Sequence, residues 1–309
     1  MTINPKKIRT KLNKSNLFIV TTPSIEEEIM HKKNQNYIST KTLSDKTTTA
    51  NSNNYSITTN NYNNYQKEYL NEIYLNLLLD EKNFEKKINP KYLSFQKGLN
   101  EKMRAILIDW IMEICYHYNF LKKTLFQCVF IIDAFLSKNI LDKSKLQLLG
   151  IASLLLSFKE NEVIYPSLDK LIQLTDNAYT VQELTNMERK IILSLNFDIL
   201  APTSEEFFEI NAAFFNFSEK QKIFGEYFLE CSLIDYNMLK YKQSTIGISC
   251  GYLAMKYFNM EGLELIIDNA NFGINAKEII NCVKELCFFV KSLNDNSSLG
   301  VVRNINVDI

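Results

Sequence analysis

Side chains suited to acid–base or nucleophilic chemistry are scarce in this sequence. Only two histidines occur, so an imidazole-based centre would rest on His31 or His117 alone. Cys115-x-His117 is the one Cys/His neighbourhood. It lacks the second half of a zinc site, so it reads as core packing, and no metal is expected. Glu160, Glu162 and Glu188 could in principle serve an all-α enzyme. Acids on helices are ordinarily solvated, however, and no phosphate loop or metal motif accompanies these three. No catalytic residue and no cofactor are therefore assigned. Arg104 and Asp109 are more informative, because both sit inside the apolar run from Met103 to Cys115. A buried arginine needs a carboxylate. Asp133, within the apolar stretch Val129–Leu136, is the obvious partner, and the expected Arg104–Asp133 ion pair is structural.

The elements that must position these residues are helical. Lys102–Tyr118 reads as one helix, with Met103, Ile106, Leu107, Trp110, Ile111 and Ile114 at helical spacing. Ala105, Ile108, Met112 and Cys115 add a second apolar stripe. A helix apolar nearly all round is either central in a bundle or lends one face to a partner. Further helices are expected over 123–137, 143–158 and Ser167–Leu174, and one opens at the capping box Thr180-Val-Gln-Glu183 and ends near Asn196. Pro202 breaks the chain. Thr203-Ser-Glu-Glu206, a second capping box, starts another block with helices at 203–215, 218–235, 243–258 and 275–293. Ahead of these blocks, Tyr69, Ile73, Leu77 and Asp80 fall at helical spacing.

The N-terminal 65 residues differ. From Ser39 to Tyr65, 18 of 27 positions are Ser, Thr or Asn. Such a stretch buries too little apolar surface to offset its ordering entropy and is expected to be disordered. Lys6, Lys7, Arg9, Lys11 and Lys14 precede the first acid, Glu26, which suits a solvated or address-bearing tail. Ser24-Ile-Glu-Glu27 has capping-box spacing. The expected organisation is a regulatory tail at 1–65, a helix and link at 66–100, and helical domains at 101–201 and 202–309.

Composition narrows the class further. Across 309 residues, 35 Lys and Arg balance 35 Asp and Glu, which argues against nucleic acid as the main partner. Eight glycines and five prolines are few for the many tight turns of an all-β fold. The apolar runs are interrupted well short of a membrane span, so no membrane partner is expected. The six cysteines, with no C-x-x-C pair, are expected as buried free thiols.

Several segments together resemble the cyclin family. Met103-Arg-Ala-Ile-Leu-Ile-Asp-Trp110 resembles the MRAIL segment that opens the first cyclin box. Ile132-Asp-Ala-Phe-Leu-Ser137 resembles the family's IDRFLS, with Ala134 where arginine is usual. Lys145–Gly150 is similar to KLQLVG, Tyr165-Pro166 falls near IYPP, and Leu174–Thr180 resembles ITDNAYT. Met187-Glu188 precedes a helix ending in Leu195-Asn-Phe-Asp198. Ser232–Asp235 followed by Leu239-Lys-Tyr241 resembles the second box of A-type cyclins. The resemblance runs from about Tyr69 to the C-terminus and is strongest over 96–203.

The resemblance implies an all-α protein of two tandem five-helix cyclin folds preceded by an N-terminal helix. It implies a regulatory subunit that binds and activates a cyclin-dependent protein kinase in cell-cycle progression, with no catalytic centre of its own. By motif match, Lys159 and Glu188 correspond to the paired kinase-contacting residues. Phe197 and Ile199 match apolar kinase contacts, and Tyr69 and Ile73 match contacts on the N-terminal helix. Met103, Ile106, Leu107, Trp110, Leu146 and Gln147 match a groove for Arg-x-Leu substrates or inhibitors, and Glu113 matches the acid that pairs with the peptide's basic residue. Arg9-Thr-Lys-Leu12 resembles a destruction box, implying a ubiquitin ligase as a further partner. Thr22-Pro23 is a minimal site for proline-directed phosphorylation. Localisation in nucleus and cytoplasm is the corresponding expectation.

One segment departs from the family. Where SKYEE is usual, the run is Phe158-Lys-Glu-Asn-Glu162, so the aromatic precedes the lysine. Lys159-Glu-Asn161 also spells a KEN degradation signal, read here as accidental within a helix. The alternative class is a cyclin-fold transcription factor of TFIIB-like type, which the zero net charge and the lack of a zinc ribbon disfavour.

Overall fold

A computed structural model of the chain describes residues 56–260 and 275–293, with side chains from Tyr69 onward. Arg9–Leu12, Thr22-Pro23, Ser24–Glu27 and His31 lie outside the described residues. Contacts divide the chain into a unit at Asn13–Ile73 and a larger one from Tyr74, and helix α1 (Ser56–Phe84) spans the division. Its first turns fall in the Ser/Thr/Asn-rich stretch. Adding residues to a formed helix costs far less than nucleating one, so weak helix formers can extend it.

The first box holds α2 (Glu101–Tyr118), α3 (Lys122–Lys138), α4 (Leu146–Asn161), α5 (Leu168–Gln173) and α6 (Val181–Ser194). The second holds α7 (Ser204–Phe214), α8 (Glu219–Ile234), α9 (Gln243–Tyr257) and α10 (Ala276–Ser292). Among the described residues there is no strand. Residues 261–274, between α9 and α10, lie outside the described set.

Local chemistry sets the helix starts. The Asn100 side chain accepts from the Met103 amide at 2.9 Å and opens α2. Thr180 and Thr203 form the two expected capping boxes with Glu183 and Glu206. Ser218 with Gln221 forms a third, which carries the same signature and opens α8. Helix α4 starts later than its periodicity suggests, because Asp142 accepts from the Ser144 amide and closes a 3-10 turn at Lys143–Lys145 first. It also runs on to Asn161, so Lys159-Glu-Asn161 is helical.

Each box is built around a helix buried nearly all round. In the first, every α4 residue from Leu148 to Phe158 is buried. In the second, α9 is buried from Ser244 to Met255. Both stripes of α2 are largely core: Ile108, Ile111, Met112, Ile114 and Cys115 are all buried. All six cysteines are free and buried. Burial pushes the thiols up, Cys282 to about 12 and Cys287 to about 11. Cys115 is buried while His117, two residues on, is exposed. That spacing turns side chains to different sides of a helix, so the pair cannot share a metal. Among the described residues no cluster could hold a metal ion, and no helix is long and apolar enough to cross a membrane.

The seam between the boxes carries charge. Glu205, Glu206 and Glu209 lie on α7, Lys122 and Lys123 on α3, and Lys222 and Glu226 on α8. Lys123 pairs with Glu206 at 2.8 Å, Lys222 with Glu209 at 3.0 Å, and Lys122 with Glu226. Each lysine is thus engaged, and Glu205 has no pair among the described ion pairs. Burial, then Glu209 and Glu206, push its carboxyl up to about 7, against the pull of Lys122 and Lys123. A raised carboxyl adds stability that is full below about pH 4.5, its ordinary value, and is lost as pH rises through 7. Glu205→Gln should therefore leave stability at pH 5 nearly unchanged. At pH 8 it should raise stability by about 1–2 kcal/mol, the shift discounted for partial exposure. Urea titrations at the two pH values measure this, and an equal change at both would refute it.

Candidate functional site

Lys159 stands in the last turn of α4 and Glu188 in the middle of α6. Packing of these two helices brings the side chains together, with Nζ to Oε1 at 2.5 Å. The lysine is exposed and the glutamate half-buried. A pair with one exposed partner keeps free donor and acceptor capacity for backbone groups of an incoming chain. Around the ends of α4 and α6 the chain leaves apolar side chains in water. Phe197 is 71% exposed and takes a left-handed φ of 61°, after Asn196 at 54°. A bulky residue in that region costs about 1–2 kcal/mol, and strain of this kind gathers at functional sites. The following residues are anchored: Asp198 pairs with Lys87, and the Ile199 carbonyl accepts from the Gln127 side chain. That holds Ile199 half-buried. Tyr69 and Ile73 are exposed on α1, on the N-terminal side of the division at Tyr74.

Val163 and Ile164 were missed by the sequence reading. They are 97% and 85% exposed, immediately beyond α4. Their signal was present: an apolar Val-Ile-Tyr-Pro run outside any helical periodicity, of which the core takes Pro166 and leaves Val163 and Ile164 in water.

The departure at Phe158–Glu162 has a structural account. Phe158 is fully buried, with Phe120 at 4.3 Å and Tyr165 at 6.2 Å between ring centroids. Glu160 is exposed. Glu162 accepts from the Leu121 amide at 2.8 Å and the Thr124 hydroxyl at 2.5 Å. It thereby caps α3 from across the fold. Of the three acids, Glu162 is thus engaged by α3, Glu188 by Lys159, and Glu160 is left in water.

The second candidate surface lies along α2 and the start of α4. Met103 and Trp110 are half-buried, Ile106 is 43% exposed and Glu113 is exposed. Leu107 and Leu146 are buried and Gln147 half-buried, so the leucines form the floor and not the rim. The open face is narrower than a whole apolar stripe because α2 also packs against α3 and α8. Gly150 lets α2 and α4 approach: a Cβ there would meet Leu107 Cδ1 at 2.8 Å. What remains is a shallow apolar strip with one carboxylate at its end.

Helix α2 also carries the buried Arg104 network. Arg104 Nε and Nη2 donate to the two oxygens of Asp133 at 2.8 and 2.7 Å. Nη1 donates to the carbonyls of Leu233 and Ile234 at the end of α8, at 2.8 and 3.3 Å. The Tyr92 hydroxyl donates to Asp133 at 2.7 Å, and Tyr236 packs edge-on against Tyr92. Burial works against the guanidinium charge, but the Asp133 carboxylate outweighs it and holds Arg104 above its ordinary value. Sequence patterning paired Arg104 with Asp133. It could not supply the carbonyls of the second box.

Residues 72–200 match the cyclin N-terminal domain and residues 202–306 the cyclin C-terminal domain. Cyclin-B2-3 of Arabidopsis thaliana is 33% identical over 229 residues, covering 73% of this chain and 53% of the relative. The human G2/mitotic-specific cyclin-B2 is 31% identical over 209 residues, covering 68% and 52%. The chain thus spans about half the length of these curated relatives. The solved structure of a viral cyclin from herpesvirus saimiri shares the fold at 20% identity, with a TM-score of 0.60 over 70% of this chain and 97% of that one. These relatives do not favour the transcription-factor reading, and they are B-type in name although Ser232–Tyr241 resembles an A-type box. With both domains matched in order and mitotic relatives at this identity, the chain belongs to the cyclin family.

Proposed function

We propose that this chain binds and activates a cyclin-dependent protein kinase and recruits Arg-x-Leu substrates to it, controlling cell-cycle progression through S, G2 and M. The observation that carries the kinase half is the Lys159–Glu188 pair with Phe197 held out in a left-handed conformation. Such a pair can bind backbone groups of the kinase's regulatory helix and the loop before it, while Phe197, Val163 and Ile164 lose water on docking. Pushing that helix inward completes the kinase's own Lys–Glu pair, so the chemistry belongs to the kinase and this chain acts as a non-catalytic activator. The docking half rests on Met103, Ile106 and Trp110 above Leu107 and Leu146. There burial gives affinity, and Glu113 gives register through the peptide's basic residue. The basic tail with Arg9–Leu12 suits timed destruction by a ubiquitin ligase and passage between cytoplasm and nucleus.

The test is co-purification of a kinase from lysate with the full chain, followed by a histone kinase assay on the eluate. Lys159→Ala/Glu188→Ala should lower captured kinase activity by about tenfold or more, as expected where interface hot spots are truncated. Kinase capture by neither form would refute the reading, and full activity in the double variant would move the main contacts elsewhere. Trp110→Ala should leave kinase capture intact and weaken an Arg-x-Leu peptide by about tenfold.

A further inference from the structure

A cleft of about 560 Å³ opens where the C-terminal end of α1, helix α3 and the turn leading into α9 meet. Its floor is apolar, from Phe84, Phe130, Pro202 and Leu239. Its rim sets three acids, Glu81, Glu85 and Glu278, against two bases, Lys240 and Lys242. Both lysines are already engaged. Lys242 pairs with Glu85 at 3.3 Å, and Lys240 with Glu285 at 2.6 Å. Glu81 is also committed: it accepts from the Ser244 amide at 2.8 Å and the Ser244 hydroxyl at 2.7 Å, satisfying the first turn of α9. Glu278 is exposed and has no cation among the described ion pairs. The cleft therefore presents net negative charge above an apolar floor, in a volume typical of binding sites.

We propose that this cleft binds a segment of a partner protein carrying a cationic residue beside a bulky apolar one. The apolar side chain would cover Phe84, Phe130 and Leu239, and the cation would pair with Glu278. Neither the kinase-contact residues nor the Arg-x-Leu groove residues line the cleft. The proposal therefore stands or falls apart from the proposed function.

The test is fluorescence anisotropy of a labelled, capped peptide, Ala-Ala-Lys-Phe-Ala-Ala, titrated with the full chain. Glu278 is exposed on α10, so Glu278→Lys should fold normally, which circular dichroism checks. The expected result is binding that weakens by about tenfold or more in Glu278→Lys, is unchanged in Trp110→Ala, and is lost when the peptide lysine becomes glutamate. Affinity unaffected by Glu278→Lys would overturn the proposal, as would binding lost in Trp110→Ala or no binding to the full chain. Concentration-dependent self-association abolished by Glu278→Lys would give the cleft to a second copy and equally overturn it.

Discussion

Arg104→Ala is expected to destabilise the folded chain by about 3–5 kcal/mol, because it leaves a buried charge uncompensated. The Asp133 carboxylate would lose two of its three hydrogen bonds, keeping only Tyr92, and the Leu233 and Ile234 carbonyls would lose their shared donor. A loss of that size is a large part of the roughly 5–15 kcal/mol that holds a domain folded. Arg104→Lys should recover little, since an ammonium cannot reproduce the two-pronged bond to Asp133 and still reach α8. The double variant with Asp133→Ala should lose clearly less than the sum of the two single losses, since each single change strands the other partner. Because Nη1 crosses from the first box to the second, Arg104→Ala should also separate the unfolding of the two boxes. Urea denaturation followed by far-ultraviolet circular dichroism would show this as a broadened or two-step transition. A loss below about 1 kcal/mol, the scale of an exposed pair, would refute the buried-network account.

The second large effect is at Gly247 on α9. A Cβ there would lie 2.5 Å from the Ser204 carbonyl oxygen and 2.8 Å from Phe207 Cβ on α7. Neither atom can swing aside as a long side chain can, so the two helices would have to part. Gly247→Ala should cost about 1–3 kcal/mol, and Gly247→Val more. Gly251, one turn along the same helix, is the internal control. A Cβ there would make ordinary contact, 3.6 Å from Asn211 Cβ. Gly251→Ala should be neutral or stabilise by about 0.5–1 kcal/mol through helix propensity. Thermal denaturation of the pair separates the two cases, and equal shifts would mean that close approach of α7 and α9 is not what selects glycine at Gly247.

Much of this was legible without coordinates, and the particular residues show why. Apolar spacing near 3.6 residues is a local property, so α2, α3, α6 and α7 could be placed to within a residue or two. Capping boxes are equally local, and Thr180–Glu183 and Thr203–Glu206 do what their spacing says. An arginine inside an apolar run has few possible partners, which is why Asp133 could be named. Helix α4 was misjudged at both ends for the complementary reason. Asp142 diverts its start through a side-chain bond that periodicity does not register, and Leu-rich sequence does not mark an end.

The sequence by itself determined the helical class, the starts of the capping-box helices α6 and α7, the Arg104–Asp133 pair, and the motifs that resemble a cyclin. Each depends on residue type and short spacing. Tertiary structure alone decided which apolar residues face water. Leu107 and Ile106 are neighbours of equal hydrophobicity, yet one is 6% and the other 43% exposed, because only packing against other helices distinguishes two sides of one helix. It also decided that Glu162 caps α3, that Arg104 reaches the carbonyls of α8, and that Glu205 is left over once three lysines have taken other acids. Those outcomes join residues 13 to 130 positions apart, beyond the reach of any one-turn helical pattern, so only the closed fold sets who meets whom.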